Sequence, residues 1–407
     1  MLGRRGRRAP DSGENPLEVV IAGGGVGALE CALALRRLAG DRVALTLLAP
    51  GARFSYQPMA VLEPFIRRSP RHLELERFAA ELAIDFVQDG VATVDAERGR
   101  LTTVAGRELP YGALVLAVGA RSAVALPNAV TIDIPGTYES LQTLLDALDG
   151  GTVRAIALVA PKPTWPLPVY ELALLLREHA QEAGIEELGL TIVTSEARPL
   201  AVFGDAVSSE VEAVLRDARI QTLLGAEVKP SAGELVVHPG GQSLGYDRVV
   251  ALPRLQGPSI PGLPSDADGF LPVGDCGEVT GVSRVYAVGD ATDFPVKFGA
   301  IAAQQADAAS AAIAAGAGAR VAPMPFDGVV EGFLLRGRTS PRLHFSARIE
   351  GGLAHDSCVG VRPSRTPEAK ISARYLGPYL DELWASGARW LSGPWLGGDG
   401  LAGEPQR

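Results

Sequence analysis

A glycine-rich segment near the N-terminus has the residue types and spacing that bind a pyrophosphate. In the stretch GGGVGALE, positions 23 to 30, Gly23 permits a tight turn and Gly25 lets the backbone approach the anion. Ala28 stands where a small residue allows close helix packing, and the following helix offers free N–H groups. The segment lies directly between a predicted strand and a predicted helix. That context favours a dinucleotide signature over a glycine-rich turn without a ligand.

The end of the second predicted strand departs from a simple NAD site. An NAD-binding half places an acidic residue there to hold a ribose hydroxyl. This chain has Ala49 and Pro50 at that place. We therefore expect the ribose contacts to come from backbone groups or from Arg53.

A second candidate for chemistry is the aspartate in RVYAVGDAT, positions 284 to 292. A predicted strand delivers Gly289 and Asp290 to the entrance of a long alanine-rich helix. Taken alone, an aspartate at that place predicts a helix N-cap. A ligand-binding role depends on companion motifs elsewhere in the chain.

Parallel sheets must position these residues, and the hydrophobic pattern predicts two of them. Residues 17 to 48 form a strand–helix–strand unit, and a later apolar strand ends in Gly119. The pattern restarts with an apolar strand at 153 to 160, a helix at 170 to 183 and a strand at 189 to 195. The fold class is α/β, with two Rossmann-like doubly wound domains and a small C-terminal α+β domain. The predicted division is a flexible N-terminal arm, 1–16; a first nucleotide-binding domain in two parts, 17–136 and 266–322; a second Rossmann-like domain, 137–265; a C-terminal domain, 323–395; and a flexible tail, 396–407.

Composition excludes several classes of protein. The 407 residues carry 38 Lys and Arg against 47 Asp and Glu, a net charge of −9, which opposes nucleic-acid binding. Three cysteines without a CxxC pair and five histidines without metal spacing predict neither a disulfide framework nor a metal site. The N-terminus lacks the pattern of a secretory signal, and no apolar run is long enough to span a bilayer. We expect a cytoplasmic protein, with any membrane contact peripheral and at the inner face.

Four motifs in the right order resemble the FAD-dependent pyridine nucleotide-disulfide oxidoreductase superfamily. They are GGGVGALE, LVLAVGA at 114 to 120, GFLPVGD at 269 to 275 and RVYAVGDAT. The resemblance covers about residues 17 to 320 and implies FAD as the cofactor. It implies the following cofactor contacts: Gly23, Gly25, Gly27 and Ala28 at the pyrophosphate, Gly119 along the cofactor path, and Gly289 with Asp290 at the ribitol.

Further stretches are similar to the branch that contains sulfide:quinone oxidoreductases and type II NADH dehydrogenases. They include PVKFGAIAAQQADAA at 295 to 309 and PTWPLPVYELA at 163 to 173. The resemblance implies that Lys297, Gly299 and Ala300 approach the isoalloxazine, where a cation and a helix N-terminus favour the reduced ring. The alternative for Lys297 is a solvated surface lysine.

Glu171 aligns with a glutamate that quinone-reducing relatives place beside the flavin. A carboxylate there could carry a proton if burial raises its pKa. The alternative is a first-turn glutamate that complements the helix dipole. Gln304 and Gln305 resemble a glutamine-bearing stretch near quinone sites, and a solvated helix position is the better interpretation for at least one of them.

Two departures from the branch narrow the chemistry. Where an NADH-binding half would have its glycines, this chain has APKPTWPLPVYE, whose prolines remove backbone donors and whose Trp165 fills space. NADH is therefore disfavoured as a reductant. The redox cysteine pair of the sulfide:quinone enzymes is also missing, because only Cys358 lies in a suitable region. We expect Cys31 to pack in the core and Cys276 to be an incidental thiol in a turn.

The segment from Tyr375 to Trp395 has apolar residues at helical spacing and predicts an amphipathic helix. It would pack on the flavin domain or in a homodimer contact, with at most weak, reversible membrane association. The sequence thus predicts an FAD-dependent oxidoreductase that passes two electrons from a small-molecule donor to a quinone or similar acceptor. The alternatives are an NAD(P)H-dependent FAD reductase and a non-catalytic flavin-binding scaffold.

Overall fold

A computed structural model describes residues 15–67, 71–132, 137–231, 234–350, 352–362 and 372–386. Within these residues the fold has two five-stranded parallel β-sheets and five smaller antiparallel sheets of two or three strands. The predicted α/β class with Rossmann-like halves is confirmed. Within these ranges the α-helices are α1 Val26–Leu38, α2 Leu75–Glu81, α3 Thr137–Asp149, α4 Leu167–Glu182, α5 Asp205–Asp217, α6 Gly299–Gly316 and α7 Leu376–Ala385. The strands are β1 Leu17–Ala22, β2 Val43–Ala49, β3 Arg53–Ser55, β4 His72–Glu74, β5 Asp85–Gln88, β6 Val91–Asp95, β7 Arg100–Thr103, β8 Glu108–Pro110, β9 Ala113–Leu116, β10 Arg121–Ala123, β11 Val130–Thr131, β12 Ala155–Ala160, β13 Gly189–Thr194, β14 Gln221–Leu223, β15 Glu227–Ser231, β16 Glu234–His238, β17 Gln242–Leu244, β18 Arg248–Ala251, β19 Arg254–Gln256, β20 Val285–Ala287, β21 Val329–Leu334, β22 Arg342–Glu350 and β23 Leu353–Arg362.

The first sheet has the parallel order β20-β9-β1-β2-β5. The chain leaves this sheet after β9, builds the second domain, and returns with β20 beside β9. In β1, Ala22 pairs with Leu48 of β2 and with Leu116 of β9, so the carboxyl ends of the three strands meet at one edge. Ligands of doubly wound sheets bind outside that edge.

The second parallel sheet has the order β11-β18-β12-β13-β14, with α4 as the crossover between β12 and β13. The helix α4 begins at Leu167, earlier than the predicted Tyr170. Proline is tolerated in the first turn of a helix, where its missing N–H would have no partner, and Pro168 occupies that turn.

The C-terminal segment supplies an antiparallel sheet, β21-β22-β23, and the helix α7. This helix packs on the first domain, where Leu376 and Leu380 are buried in the same core as α1. The predicted helix is confirmed over 376–385, and Trp390 and Trp395 lie outside the described residues. The predicted flexible arm (1–14 of it) and the predicted tail lie outside them as well.

Candidate cofactor-binding site

The turn between β1 and α1 requires glycine at its first position. Gly23 has φ +132°, and a Cβ there would lie 2.0 Å from the carbonyl oxygen of Ala117. Its N–H donates to the Leu48 carbonyl at 2.7 Å, which ties the turn to the second strand. The turn is therefore fixed against the carboxyl edge of the sheet.

Next to this turn the protein surface is open. A Cβ added at Gly25 would meet no described heavy atom within 4 Å, and the same holds at Gly119 after β9. Gly25 is also the N-cap residue of α1, so the amide groups of the first helical turn face this space. A glycine backbone, a helix N-terminus and free space together fit the pyrophosphate of a dinucleotide.

The close packing of α1 depends on Gly27 as well as on Ala28. A Cβ at Gly27 would lie 3.0 Å from Cγ2 of Val288 and 3.5 Å from the carbonyl oxygen of Ala302, while Ala28 is fully buried. Gly27 therefore faces α6 and the end of β20 rather than a ligand. Its predicted pyrophosphate contact stays a prediction that this packing does not favour.

Asp290 lies in a short 3-10 turn, Gly289–Ala291, directly after β20. The helix α6 begins only at Gly299 with Phe298 as its N-cap residue, so Asp290 does not cap that helix. Burial raises the pKa of the Asp290 carboxyl, and the nearby Lys297 ammonium opposes that shift. A shielded carboxyl at the carboxyl edge of the sheet can accept hydrogen bonds from a polyol chain such as ribitol.

Lys297 is half-buried, so the interpretation as a solvated surface lysine is wrong. Its Nζ donates to the Thr292 carbonyl and lies 3.9 Å from the centroid of the Phe270 ring. Burial lowers the pKa of Lys297 to about 8, opposed mainly by the Asp290 carboxylate. The amine thus titrates near neutral pH, and its approach to an isoalloxazine stays a prediction, as do the contacts of Gly299 and Ala300 at the start of α6.

Glu171 lies in the second turn of α4, so the interpretation as a first-turn glutamate is wrong. Its side chain is 1% exposed, and Oε1 accepts the backbone N–H of Leu335 at 2.9 Å. The residue therefore joins α4 to the end of β21. Proton transfer by Glu171 stays a prediction.

The three residues at and after the end of β2 that were predicted near the ribose differ in exposure and in hydrogen bonding. Ala49 is buried, Pro50 is exposed, and Nε of Arg53 donates to Oε1 of Glu74 at 2.6 Å. Because the Arg53 guanidinium already donates a hydrogen bond to Glu74, a ribose hydroxyl would have to bind the same guanidinium alongside Glu74. That contact also stays a prediction.

The sequence did not identify Gln305 as a supporting residue of the site. Its side chain is 3% exposed, and Oε1 accepts the N–H of Gly289 at 2.7 Å. Gln304 is half-buried and its Nε2 donates to the Val329 carbonyl. The prediction of a solvated position is therefore wrong for both glutamines. The signal in the sequence was a glutamine within an alanine-rich helix, because a polar side chain that such a helix buries needs a hydrogen-bond partner.

Aromatic side chains occupy the region around the proline-rich loop. The Trp165 ring lies 5.2 Å from the Phe298 ring and 5.7 Å from the Phe203 ring. The cysteines lie elsewhere: Cys31 is buried as predicted, and Cys358 is exposed on β23. No disulfide joins any two cysteines of the described chain.

The described residues contain neither a metal-binding cluster nor a membrane-spanning helix. No cluster of three His, Cys, Asp or Glu side chains among them could hold a metal ion. Likewise, none of the helices in the described ranges combines the length and the apolar character that crossing a bilayer requires.

Comparisons with known proteins agree with this geometry. The profile of the pyridine nucleotide-disulphide oxidoreductases matches residues 17–155. A sulfide-quinone reductase of Aquifex aeolicus (strain VF5) is 24% identical over 300 residues, covering 68% of this chain and 69% of that protein.

Solved structures of low sequence identity share the fold. The sulfide:quinone oxidoreductase of the hyperthermophilic bacterium Aquifex aeolicus has a TM-score of 0.76 at 19% identity, over 92% of this chain and 91% of that chain. A chain of the Tetrahymena thermophila mitochondrial ATP synthase has a TM-score of 0.66 at 14% identity, over 94% of this chain and 96% of that chain.

Proposed function

We propose that this chain, which belongs to the FAD-dependent pyridine nucleotide-disulfide oxidoreductase superfamily, passes two electrons from a small-molecule donor through its flavin to a quinone. The donor is oxidised by two electrons, and the quinone takes up those electrons with two protons to become a quinol. A similar two-electron acceptor would satisfy the same balance.

The residues at the edge of the first sheet fit the cofactor of this superfamily. Bound FAD supplies the redox chemistry, and the protein supplies position and electrostatics. The backbone at Gly23 and Gly25 would hold the pyrophosphate, and the Asp290 carboxyl would hold the ribitol. The start of α6, beside Lys297, would present a positive helix end to the ring.

One observation carries the proposal: the open glycine turn and the shielded pair of Asp290 and Lys297 flank the same carboxyl edge. A phosphate cradle alone would suit any nucleotide. A carboxyl and an amine with shifted pKa values beside it are typical of a working site. The quinone acceptor is proposed by analogy with the sulfide-quinone reductase and the sulfide:quinone oxidoreductase of Aquifex aeolicus.

Two other functions are possible alternatives for this chain. An NAD(P)H-dependent reductase would need a nucleotide site in the second domain, where the prolines around Trp165 remove backbone donors. A non-catalytic flavin-binding scaffold would bind FAD at the same site without turnover. Homodimer formation and weak peripheral membrane contact are further proposals about the partners of the chain.

Anaerobic spectroscopy of the purified protein separates these functions. The proposal expects a yellow protein whose flavin is bleached by dithionite or a small reductant and regains its colour on addition of a short-chain quinone. Bleaching by NADH as fast as by any other donor would favour the reductase. A flavin that no physiological class of donor or acceptor alters would favour the scaffold, and a colourless protein would contradict all three.

A further inference from the structure

The second Rossmann-like half contains the acidic residue that the first half lacks, and its carboxylate faces the protein interior. Glu196 follows the end of β13, the place from which a dinucleotide-binding half offers an acid to a ribose. Here the hydroxyl of Tyr170, on α4, donates to Oε2 of Glu196 at 2.6 Å. The hydroxyl of Thr194 donates to the same oxygen at 3.3 Å. Tyr170 is fully buried, so the carboxylate is held against the crossover helix.

Hydrogen bonds of its own backbone also hold Glu196 in this position. The Glu196 carbonyl accepts the N–H of Gly225 at 2.8 Å, and its N–H donates to Oγ1 of Thr194 at 3.2 Å. The backbone N–H groups of Leu200 and Ala201 oppose the rise in the pKa of this carboxyl that burial causes. Turning the side chain outward toward a ribose would leave several of these donors without their acceptor, at a cost of about 1–3 kcal/mol for each buried group.

The pyrophosphate position of this half is closed as well. Pro166 and Pro168 carry no N–H in the region where α4 begins, and the Val169 N–H donates to the Pro166 carbonyl at 3.1 Å. The Trp165 ring packs against Phe298. The first turn therefore offers few amide groups to an anion, in contrast to the first turn of α1.

A small cavity lies at the carboxyl end of β12. The cavity lined by Val159, Ala160 and Pro161 has a volume of about 20 Å³. Ligand pockets have volumes of roughly 300–1,000 Å³. This cavity by itself is too small to hold a nucleotide.

We propose that Tyr170 and Glu196 are specificity-determining residues whose hydrogen bond turns the ribose-binding carboxylate inward, so that the second half rejects pyridine nucleotides. The electron donor is then a non-nucleotide reductant that reaches the flavin without docking in this half. This inference rests on the proposed function for the flavin-binding half, but not on the identity of the acceptor.

ADP-ribose binding to the holoprotein tests the inference. The unmodified protein is expected to show no saturable binding at concentrations up to about 1 mM, the upper end of ordinary substrate affinities. A Tyr170→Phe/Trp165→Ala variant, which frees the carboxylate and opens the loop, is expected to bind at least about tenfold tighter. Tyr138→Phe, on α3 of the same domain, is the matched control and should behave like the unmodified protein. Saturable binding by the unmodified protein, or a double variant that binds no better, would overturn the inference.

A second measurement keeps the inference testable if the double variant does not fold. In the single variant Tyr170→Phe, Glu196 should react with a water-soluble carbodiimide and an amine about tenfold faster than in the unmodified protein, as read by peptide mass spectrometry. Equal labelling of Glu196 in the two proteins would overturn the inference. Flavin content and reoxidation by quinone are measured separately. If the proposed function fails in those measurements, the ADP-ribose binding and the labelling of Glu196 still test this inference.

Discussion

Gly25 is the residue whose replacement separates cofactor binding from folding. A Cβ there meets no heavy atom of the described ranges within 4 Å, and the residue has an ordinary negative φ of −95°. Gly25→Val should therefore fold, yet its side chain would occupy the space where the backbone approaches the pyrophosphate. We expect purified Gly25→Val to lose most of its flavin, measured by absorbance and by extraction.

The matched control for this variant is Gly245→Val. Gly245 is exposed in the second domain and is equally open, since an added Cβ meets no described atom within 4 Å. It should retain a normal flavin content. Folded Gly25→Val protein with as much FAD as the control would show that the glycine turn is not the cofactor site.

Glu196 should make stability depend on pH. Burial raises the pKa of its carboxyl from 4.5 to about 7, so the folded state binds this proton more tightly than the unfolded chain. The group stabilises the fold below about pH 4.5, and that contribution disappears as the pH rises through 7. Glu196→Gln keeps the uncharged shape and removes this dependence. Relative to the unmodified protein, its free energy of unfolding should increase by roughly 1–3 kcal/mol between pH 5 and pH 8.

Denaturant unfolding at the two pH values measures this difference. Glu210→Gln, at an exposed position of α5, is the control and should follow the unmodified protein. If Glu196→Gln and the unmodified protein lose stability in parallel, the carboxyl does not hold a proton in the fold.

At the scale of elements, the C-terminal helix is held by a buried carboxylate of α1. Glu30 is fully buried, and its two oxygens accept the backbone N–H groups of Tyr375 at 2.8 Å and of Leu376 at 2.6 Å. Beside it on α6, burial and the Glu30 charge raise the pKa of Asp307 to about 7. Burial also raises the pKa of the Glu30 carboxyl, while the N–H groups of Tyr375 and Leu376 favour the charged form that anchors the start of α7.

Removing that charge should loosen α7 before the rest of the molecule. Glu30→Gln retains the shape but weakens charge-assisted hydrogen bonds, which are worth about 1.5–3 kcal/mol each. We expect faster hydrogen exchange of the amides over 375–385, with unchanged exchange in β1 and β9. Glu18→Gln, exposed on β1, provides the comparison. Unaltered protection of α7 in Glu30→Gln would remove Glu30 as its anchor.

Periodicity predicted β1, α1, β2, β9 and β20 of the first parallel sheet and β12, α4 and β13 of the second, because each buries a strong apolar pattern. It did not predict β5, β11, β14 or β18. It did not identify Glu30 and Gln305 as buried polar residues, or Glu196 as a partly buried one. Gln305 bonds to Gly289, 16 positions earlier, and Glu30 bonds to Leu376, 346 positions later, while Glu196 bonds to Tyr170 on another element. Charged and amide residues on a helix are usually solvated, and only the tertiary packing shows which of them are enclosed.

At the level of the whole molecule, the aromatic side chains of α7 are the candidate contacts with a membrane surface. The Tyr379 ring packs edge-on against Phe78 at 5.5 Å, and the Trp384 ring packs against Tyr56 at 4.9 Å. These aromatic groups are engaged with the first domain, so they are not available as interfacial anchors. We expect at most weak, reversible binding to vesicles of anionic and zwitterionic lipid, with equal co-sedimentation of the intact chain and a version ending at Ser372.

Folding of the shortened chain is checked by its flavin content and its thermal unfolding. A clear loss of co-sedimentation in a shortened chain that still binds flavin would identify the C-terminal segment as a membrane anchor.

Reoxidation of the reduced flavin by quinone tests the central claim most directly. The holoprotein is reduced under anaerobic conditions with a stoichiometric amount of dithionite and mixed with a short-chain quinone in a stopped-flow instrument. We expect the oxidised flavin spectrum to return with a rate constant on the order of 10 s⁻¹ or faster, as in ordinary enzymatic turnover. A flavin that stays reduced for minutes in the presence of excess quinone would contradict it.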